Sequence, residues 1–186
     1  FGSIAAGADM ATDIEHGFFE RLVASPVSRT SILVGRVAGA AALGFVQALV
    51  FFGVTSLFGL NVESGLAGIL LVAVVASVVS AGIGALAVAF GLRTGSTEAV
   101  QGSFPLLFVL MFFSSAFFPR TLMEGWFKTV ATYNPISWLI EAARSLVIDG
   151  LDIGEFLVAL GVAAVLFAVG NLLAGLALRR RLAVGA

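Results

Sequence analysis

Four stretches of this chain contain no Asp, Glu, Lys, Arg or His: Val37–Val62, Ser64–Leu92, Ala99–Pro119 and Phe156–Leu178. A helix crosses the hydrocarbon of a bilayer with about 20 apolar residues, and each stretch is long enough. Only 11% of the residues are charged, against about a quarter in soluble domains. With 60% hydrophobic residues and a mean hydropathy of +1.10, the chain lacks the charge to cover a water-facing surface. The expected class is an all-α membrane protein, a polytopic helical bundle with four full spans.

The apolar start, Phe1–Ala8, is too short to span and is expected to be the end of a preceding span in a fragment missing its N-terminal part. A cleaved presequence is the alternative, although no basic leader region is present. Cysteine is absent, which excludes disulfides and thiolate metal sites.

The arginines give the sidedness. Lys and Arg concentrate in short cytoplasmic loops. The spans sort the polar segments into two sets. One holds Arg21, Arg29, Arg36, Arg93 and Arg179–Arg181; the other, around Leu60–Ser64 and Arg120–Glu155, mixes Arg120, Lys128 and Arg144 with six acids. The first set is expected in the cytoplasm, with the C-terminus, and the second outside. The expected location is the plasma membrane, as a multi-pass protein.

Two polar segments stand out. In the first, residues 12–27, Ile14, Phe18 and Leu22 repeat at four-residue spacing, with Glu15, His16, Glu20 and Arg21 directed elsewhere; one amphipathic helix is expected. Ser25–Pro26 ends it, because a residue before proline is pushed out of the α region. Ser28, Thr30 or Ser31 then caps the next helix. Such an element either lies on the membrane surface or is gripped by a soluble partner, and its acidic start suits an anionic lipid surface poorly.

The second segment, residues 120–148, holds Trp126, Tyr133 and Trp138, aromatics suited to the bilayer interface. Asn134–Pro135 breaks the backbone and opens a new helix. After it, Ile136, Leu139, Ile140, Ala143, Leu146 and Val147 form one face, with Ser137, Glu141, Arg144 and Ser145 opposite. The expectation is a pair of short helices dipping into the outer leaflet and returning; a surface loop with one amphipathic helix is the alternative.

The pattern Glu15-x-Gly17-x-x-Glu20-Arg21-Leu22-x-x-Ser25-Pro26 resembles the cytoplasmic signature of ABC-2 type exporter permeases. The stretch from Asn134 to Leu146, "NPISWLIEAARSL", is similar to the outer re-entrant region before their last span, and "FFSSAFFP" leads into it as in that family. The resemblance covers essentially the whole chain, in the same order, and is nearest in style to drug-resistance permeases of the daunorubicin type. Phe18 departs from it, standing where the family often has Thr, and the first span with most of the second is missing. As a member, the chain is expected to be a single transmembrane domain, residues 1–186, whose cytoplasmic coupling helix docks on an ATP-hydrolysing subunit. Glu15, Gly17, Glu20, Arg21 and Leu22 would form that coupling element, Ser25–Pro26 would fix its exit, and Asn134, Pro135, Glu141 and Arg144 would mark the outer motif.

The chain is expected to have no enzymatic activity of its own. A P-loop needs Gly-x4-Gly-Lys-Ser/Thr. The only lysine, Lys128, follows Phe127, so the ATP and Mg that the resemblance implies would be bound by a partner ATPase subunit or by a domain upstream of the missing N-terminal part. The expected partners are that ATPase, a second permease subunit in a homo- or heterodimer, membrane lipid and a small hydrophobic substrate, with no nucleic acid. No metal site is expected: His16 is alone and the acids are dispersed in loops.

Candidate pathway residues are Gln47 mid-span and Phe104, Met111 and Phe112 in the phenylalanine-rich run. Helix packing for the glutamine and lipid contact for the others are the alternatives. Pro105 is expected to kink its span. Gly35-x3-Gly39 and Ser80-x3-Gly84 permit close helix approach. The leading function is outward transport of a hydrophobic or amphipathic compound (drug, lipid or glycoconjugate) driven by ATP. A secondary transporter or channel is the alternative, and a membrane scaffold without transport a third reading.

Overall fold

The computed structural model describes residues 2–59, 61–150 and 152–184. Phe1 of the expected leading segment and Leu60 of the expected Leu60–Ser64 loop lie outside the described residues, as do Leu151, Gly185 and Ala186. The described residues are helical, without strand: α1 (Gly2–Glu15), α2 (Phe18–Ala24), α3 (Arg29–Leu57), α4 (Gly65–Thr94), α5 (Thr97–Gly102), α6 (Phe104–Phe112), α7 (Gly125–Tyr133), α8 (Pro135–Ile148) and α9 (Ile153–Val184), with a 3-10 turn at Arg120–Leu122. The chain is thus an all-α polytopic membrane protein.

Among the described residues, three helices are long and apolar enough to cross a bilayer: Thr30–Leu57, Gly65–Thr94 and Ile153–Ala183. At 1.5 Å per residue they run about 42–47 Å. The expectation of four uninterrupted spans is corrected at Ala99–Pro119. There the apolar helical stretch, Thr97–Phe112, is divided at Ser103 into α5 and α6. Pro105 stands in the first turn of α6. It has no N–H to give the carbonyl four residues back and its ring crowds that carbonyl, so the ladder stops and restarts. Sixteen residues at that rise reach only about 24 Å, short of the roughly 30 Å hydrocarbon core.

α4 is the central helix, packed by α9, α3 and α1. Its composition makes this possible. Gly68, Ala73, Ser80, Ala81, Gly82, Gly84, Ala85 and Gly91 are buried along it, and small residues let backbones approach closely where no hydrophobic drive separates protein from lipid. Gly82 and Gly170 meet at the α4–α9 crossing: a Cβ on Gly170 would sit 2.5 Å from the Gly82 carbonyl oxygen, and one on Gly82 2.8 Å from the Phe167 nitrogen. Gly91 crosses α1 the same way, its Cβ position 2.5 Å from the Gly7 carbonyl oxygen.

The two small-residue patterns separate here. Gly84 faces Ala40, its Cβ position 2.7 Å away, whereas Gly35 and Gly39 face open space. Hydroxyls add interhelical bonds: the buried Ser3 Oγ lies 2.7 Å from Ser80 Oγ, and the half-buried Ser77 Oγ donates to the Ala41 carbonyl at 2.9 Å. The outer flanks carry exposed Val34, Leu43, Val50 and Phe51 on α3 and Leu157, Val165 and Leu172 on α9, surfaces suited to lipid.

Two sequence readings of charge change with the fold. Arg36 is not a loop residue; it lies in the second turn of α3 and pairs with Asp13 and, at 3.4 Å, with Asp9. Both acids are on α1 rather than in a loop, so this triad ties α1 to α3.

Candidate functional site

The first polar segment forms a hinge and a short helix rather than one rod. α1 runs to Glu15, and Gly17 then adopts φ 70°, ψ 13°. This left-handed conformation costs a residue with a Cβ about 1–2 kcal/mol, and it turns the chain into α2. Ile14 therefore does not stack on Phe18 and Leu22 along one helix as the spacing implied. α2 ends where expected: Ser25 is extended (φ −76°, ψ 159°), and its hydroxyl donates to the Leu22 carbonyl at 2.6 Å. Pro26 follows in the turn, and Ser28 caps α3 by accepting from the Ser31 N–H.

One face of α2 is anchored. Phe19 is 3% exposed and packs with Met10, Leu92 and Leu178. The Arg181 guanidinium lies 5.9 Å from its ring and donates to the Leu92 carbonyl at 3.0 Å. Leu22 packs beside this cluster, while Phe18, Glu20 and Arg21 are exposed. Glu15 turns to its own chain. Its carboxylate accepts from the Thr97 N–H at 2.8 Å and the Thr97 hydroxyl at 3.0 Å, and Thr12 Oγ1 joins Thr97 Oγ1 at 2.9 Å. The hinge before α2 is thereby bonded to the first residue of α5. Spacing within residues 12–27 offered no signal for Thr97 or Arg181; the Ser96–Thr97 pair after Gly95, a helix-start signature, was the available clue.

The Thr97 donors, backbone first and side chain second, hold the Glu15 carboxyl below its ordinary value of 4.5. A carboxyl lowered on folding stabilises the folded state above its unfolded pKa and loses that contribution as pH falls through its folded value. Glu15→Gln is therefore expected to lower the melting temperature at pH 7, with the difference from wild type narrowing once the pH is taken below 4.5. Thermal unfolding in detergent at a series of pH values measures this.

The second segment lies at the other end of the bundle, where Ser64 Oγ donates to the Leu146 carbonyl and the Glu63 N–H donates to that of Val147 at 3.0 Å. Asn134 has two roles. Its Oδ1 accepts from the Ile136 N–H at 3.0 Å, capping α8 behind Pro135, and its Nδ2 donates to the Leu110 and Phe113 carbonyls at 2.7 and 3.0 Å. The amide thus serves the start of one helix and the frayed end of α6. Arg144 donates to the Ser115 carbonyl at 2.9 Å, and the buried Ser115 donates its N–H to the Ser137 hydroxyl and its own hydroxyl to the Ser137 carbonyl. Glu141 is held by both arms of the Arg120 guanidinium, which lies 4.6 Å from the Trp138 ring centroid. The polar face of α8 consequently points into protein. The serines of "FFSSAFFP" gave the sequence no reason to expect pairing with Ser137.

The pathway candidates occupy different helices. Gln47 is exposed on α3 with its amide near Gly2 of α1. Phe104 packs partly buried with Ile4 and Val100; Met111 and Phe112 are exposed along α6, and Phe112 stacks on Phe117 at 4.9 Å. Phe104 also lines a cleft of about 450 Å³ with Ile4, Ala5, Ala8, Asp9 and Gln101.

Three long helices around a small-residue core, a hinged amphipathic helix at one end and a polar-lined helix pair at the other define a polytopic helical membrane domain. Residues 1–148 match the ABC-2 type transporter family, and the chain belongs to it. It is 28% identical over 149 residues to the probable doxorubicin resistance ABC transporter permease protein DrrC of Mycobacterium tuberculosis, covering 80% of this chain and 54% of that protein. It is 30% identical over 148 residues to the daunorubicin resistance ABC transporter permease protein DrrB1 of Streptomyces coeruleorubidus, covering 77% and 51%. The chain spans about half the length of these curated relatives. No solved structure matches it.

Proposed function

We propose that the chain belongs to the translocating subunit of an ATP-driven exporter, with α2 as the element that receives motion from a separate ATP- and Mg-binding ATPase. The observation carrying this is the mounting of α2. Phe19 is buried, Gly17 and Ser25 turn the chain at its two ends, and Phe18, Glu20 and Arg21 are left outward. A short helix braced in this way transmits a rigid-body push, and its free charges set register in a partner groove. Glu15 passes the displacement sideways to α5 through Thr97. Two such subunits form the dimer, the α2 end and the C-terminus face the cytoplasm of a bacterial inner membrane, and α7–α8 face outward.

The names of the relatives support an amphipathic drug-like cargo, and the cleft between α1 and α5–α6 offers apolar walls with Asp9 at its rim. Glu20→Lys is expected to weaken capture of the ATPase by the full-length permease at least about tenfold, since like-charge contacts cost several kcal/mol, and to abolish ATP-dependent efflux from cells. Normal insertion and melting would show that the fold is intact. An inserted variant that kept both its ATPase and full efflux would remove α2 from this role.

A further inference from the structure

The three consecutive arginines near the C-terminal end of α9 do not share one fate. Arg181 turns inward to the Leu92 carbonyl and Phe19. Arg179 and Arg180 are exposed and have no hydrogen-bond or ion-pair partner among the described residues. Beside Arg179 a groove of about 480 Å³ opens between α9 and the start of α3, lined by Thr30, Leu33, Gly175, Leu178 and Leu182 with Ala183 at its end. α3 and α9 both pack on α4 but touch each other little, which leaves the groove open on the flank of the bundle. Gly175 keeps it so, because nothing lies within 4 Å of its Cβ position.

We propose that this groove is a binding site for one anionic phospholipid. Leu33, Leu178 and Leu182 take acyl chain, while the phosphate meets Arg179 and Thr30, with Arg180 adding charge alongside. The positive end of the α3 dipole acts in the same direction, since Thr30 lies in its first turn. Charge complementarity selects this occupant. Basic pockets between membrane helices are suited to anionic headgroups, whereas a second copy seated on the same face would bring two Arg179–Arg180 pairs together. A bound lipid would brace α9 against α3 where Arg181 supports Phe19. The assignment requires only that the three long helices span a bilayer; it does not depend on ATP coupling.

The test is native mass spectrometry of the full-length permease in detergent, titrated with phosphatidylglycerol or phosphatidylcholine. Wild type is expected to prefer phosphatidylglycerol. A basic side chain near an anionic lipid surface contributes roughly 1 kcal/mol, so Arg179→Gln should weaken that lipid about fivefold, and Arg179→Gln with Arg180→Gln about 25-fold. Gly175→Leu fills the groove without touching a charge and should also reduce phosphatidylglycerol binding. Arg93→Gln, an exposed cation at the same end of α4, should not. Arg179→Lys should restore most of the binding, and unchanged melting temperatures would show that every variant folds. Equal phosphatidylglycerol affinity in all variants would overturn the proposal, as would an equal loss in Arg93→Gln. Displacement of the lipid by inorganic phosphate at matching concentration would replace the lipid with a small anion. Loss of the dimer in place of lipid would assign the groove to a second copy.

Discussion

Gly170→Leu is expected to yield little or no folded protein. The glycine faces Gly82 across the α4–α9 crossing, with the Gly82 carbonyl oxygen 2.5 Å from the position a Cβ would take. Neither side can yield cheaply, because the nearest atom opposing each glycine is backbone. The two helices must separate, which opens the contact along α4, the helix on which α1, α3 and α9 all pack. Overpacking a tight core costs about 1–3 kcal/mol and sometimes more, and a backbone clash at the central crossing belongs at the upper end. Gly39→Leu is the matched control: it adds the same side chain at a glycine with open space around it and should leave expression and melting unchanged. Size-exclusion profiles and thermal unfolding of the two variants measure the contrast. A well-folded Gly170→Leu protein with wild-type melting would show that α4 and α9 do not cross at this pair.

Asn134→Ala should cost about 3 kcal/mol, the second large effect. The loss of the α8 cap accounts for about 1 kcal/mol. Orphaning the Leu110 and Phe113 carbonyls accounts for the rest, at about 1 kcal/mol or more each when buried. Asn134 is itself only 7% exposed, so water cannot readily replace it. Asn134→Asp separates the two roles. The carboxylate still accepts from the Ile136 N–H but has no hydrogen to give to the two carbonyls, and it sets negative charge against them. Aspartate should therefore be at least as damaging as alanine, despite being a good capping residue. If Asn134→Asp melted like wild type, the cap alone would be the function of this residue and the link to α6 would be void.

These two positions were unequally legible in the sequence. Asn134 announces a helix start because it precedes proline, and that reading needs no neighbour. Its bonds to α6 involve residues more than 20 positions away, and no local pattern encodes them. Gly170 is one of 22 glycines, with nothing in its flanks to separate it from Gly175, which faces open space. The small-residue patterns show the same limit: Ser80-x3-Gly84 lies at a contact and Gly35-x3-Gly39 does not. Residues 12–27 fit a continuous amphipathic helix by spacing, yet Gly17 takes a left-handed turn there, which lets Phe19 reach Met10 and Leu92 while Glu15 reaches Thr97.

Sequence alone determined what depends on hydropathy and backbone chemistry: a helical membrane bundle, three of the four expected spans, the stops at Ser25–Pro26 and Asn134–Pro135, the Ser28 cap and the family motif. Tertiary structure alone decided which sides meet. It chose the glycines that interlock, turned the polar face of α8 inward, and separated Arg181 from Arg179 and Arg180. The reason lies in the solvent. In water an apolar stripe tells a helix which way to face, but in lipid a helix such as α4 is apolar all round and carries no such direction. Orientation then rests on shape and hydrogen-bond complementarity between distant segments, and those exist only once the helices are packed.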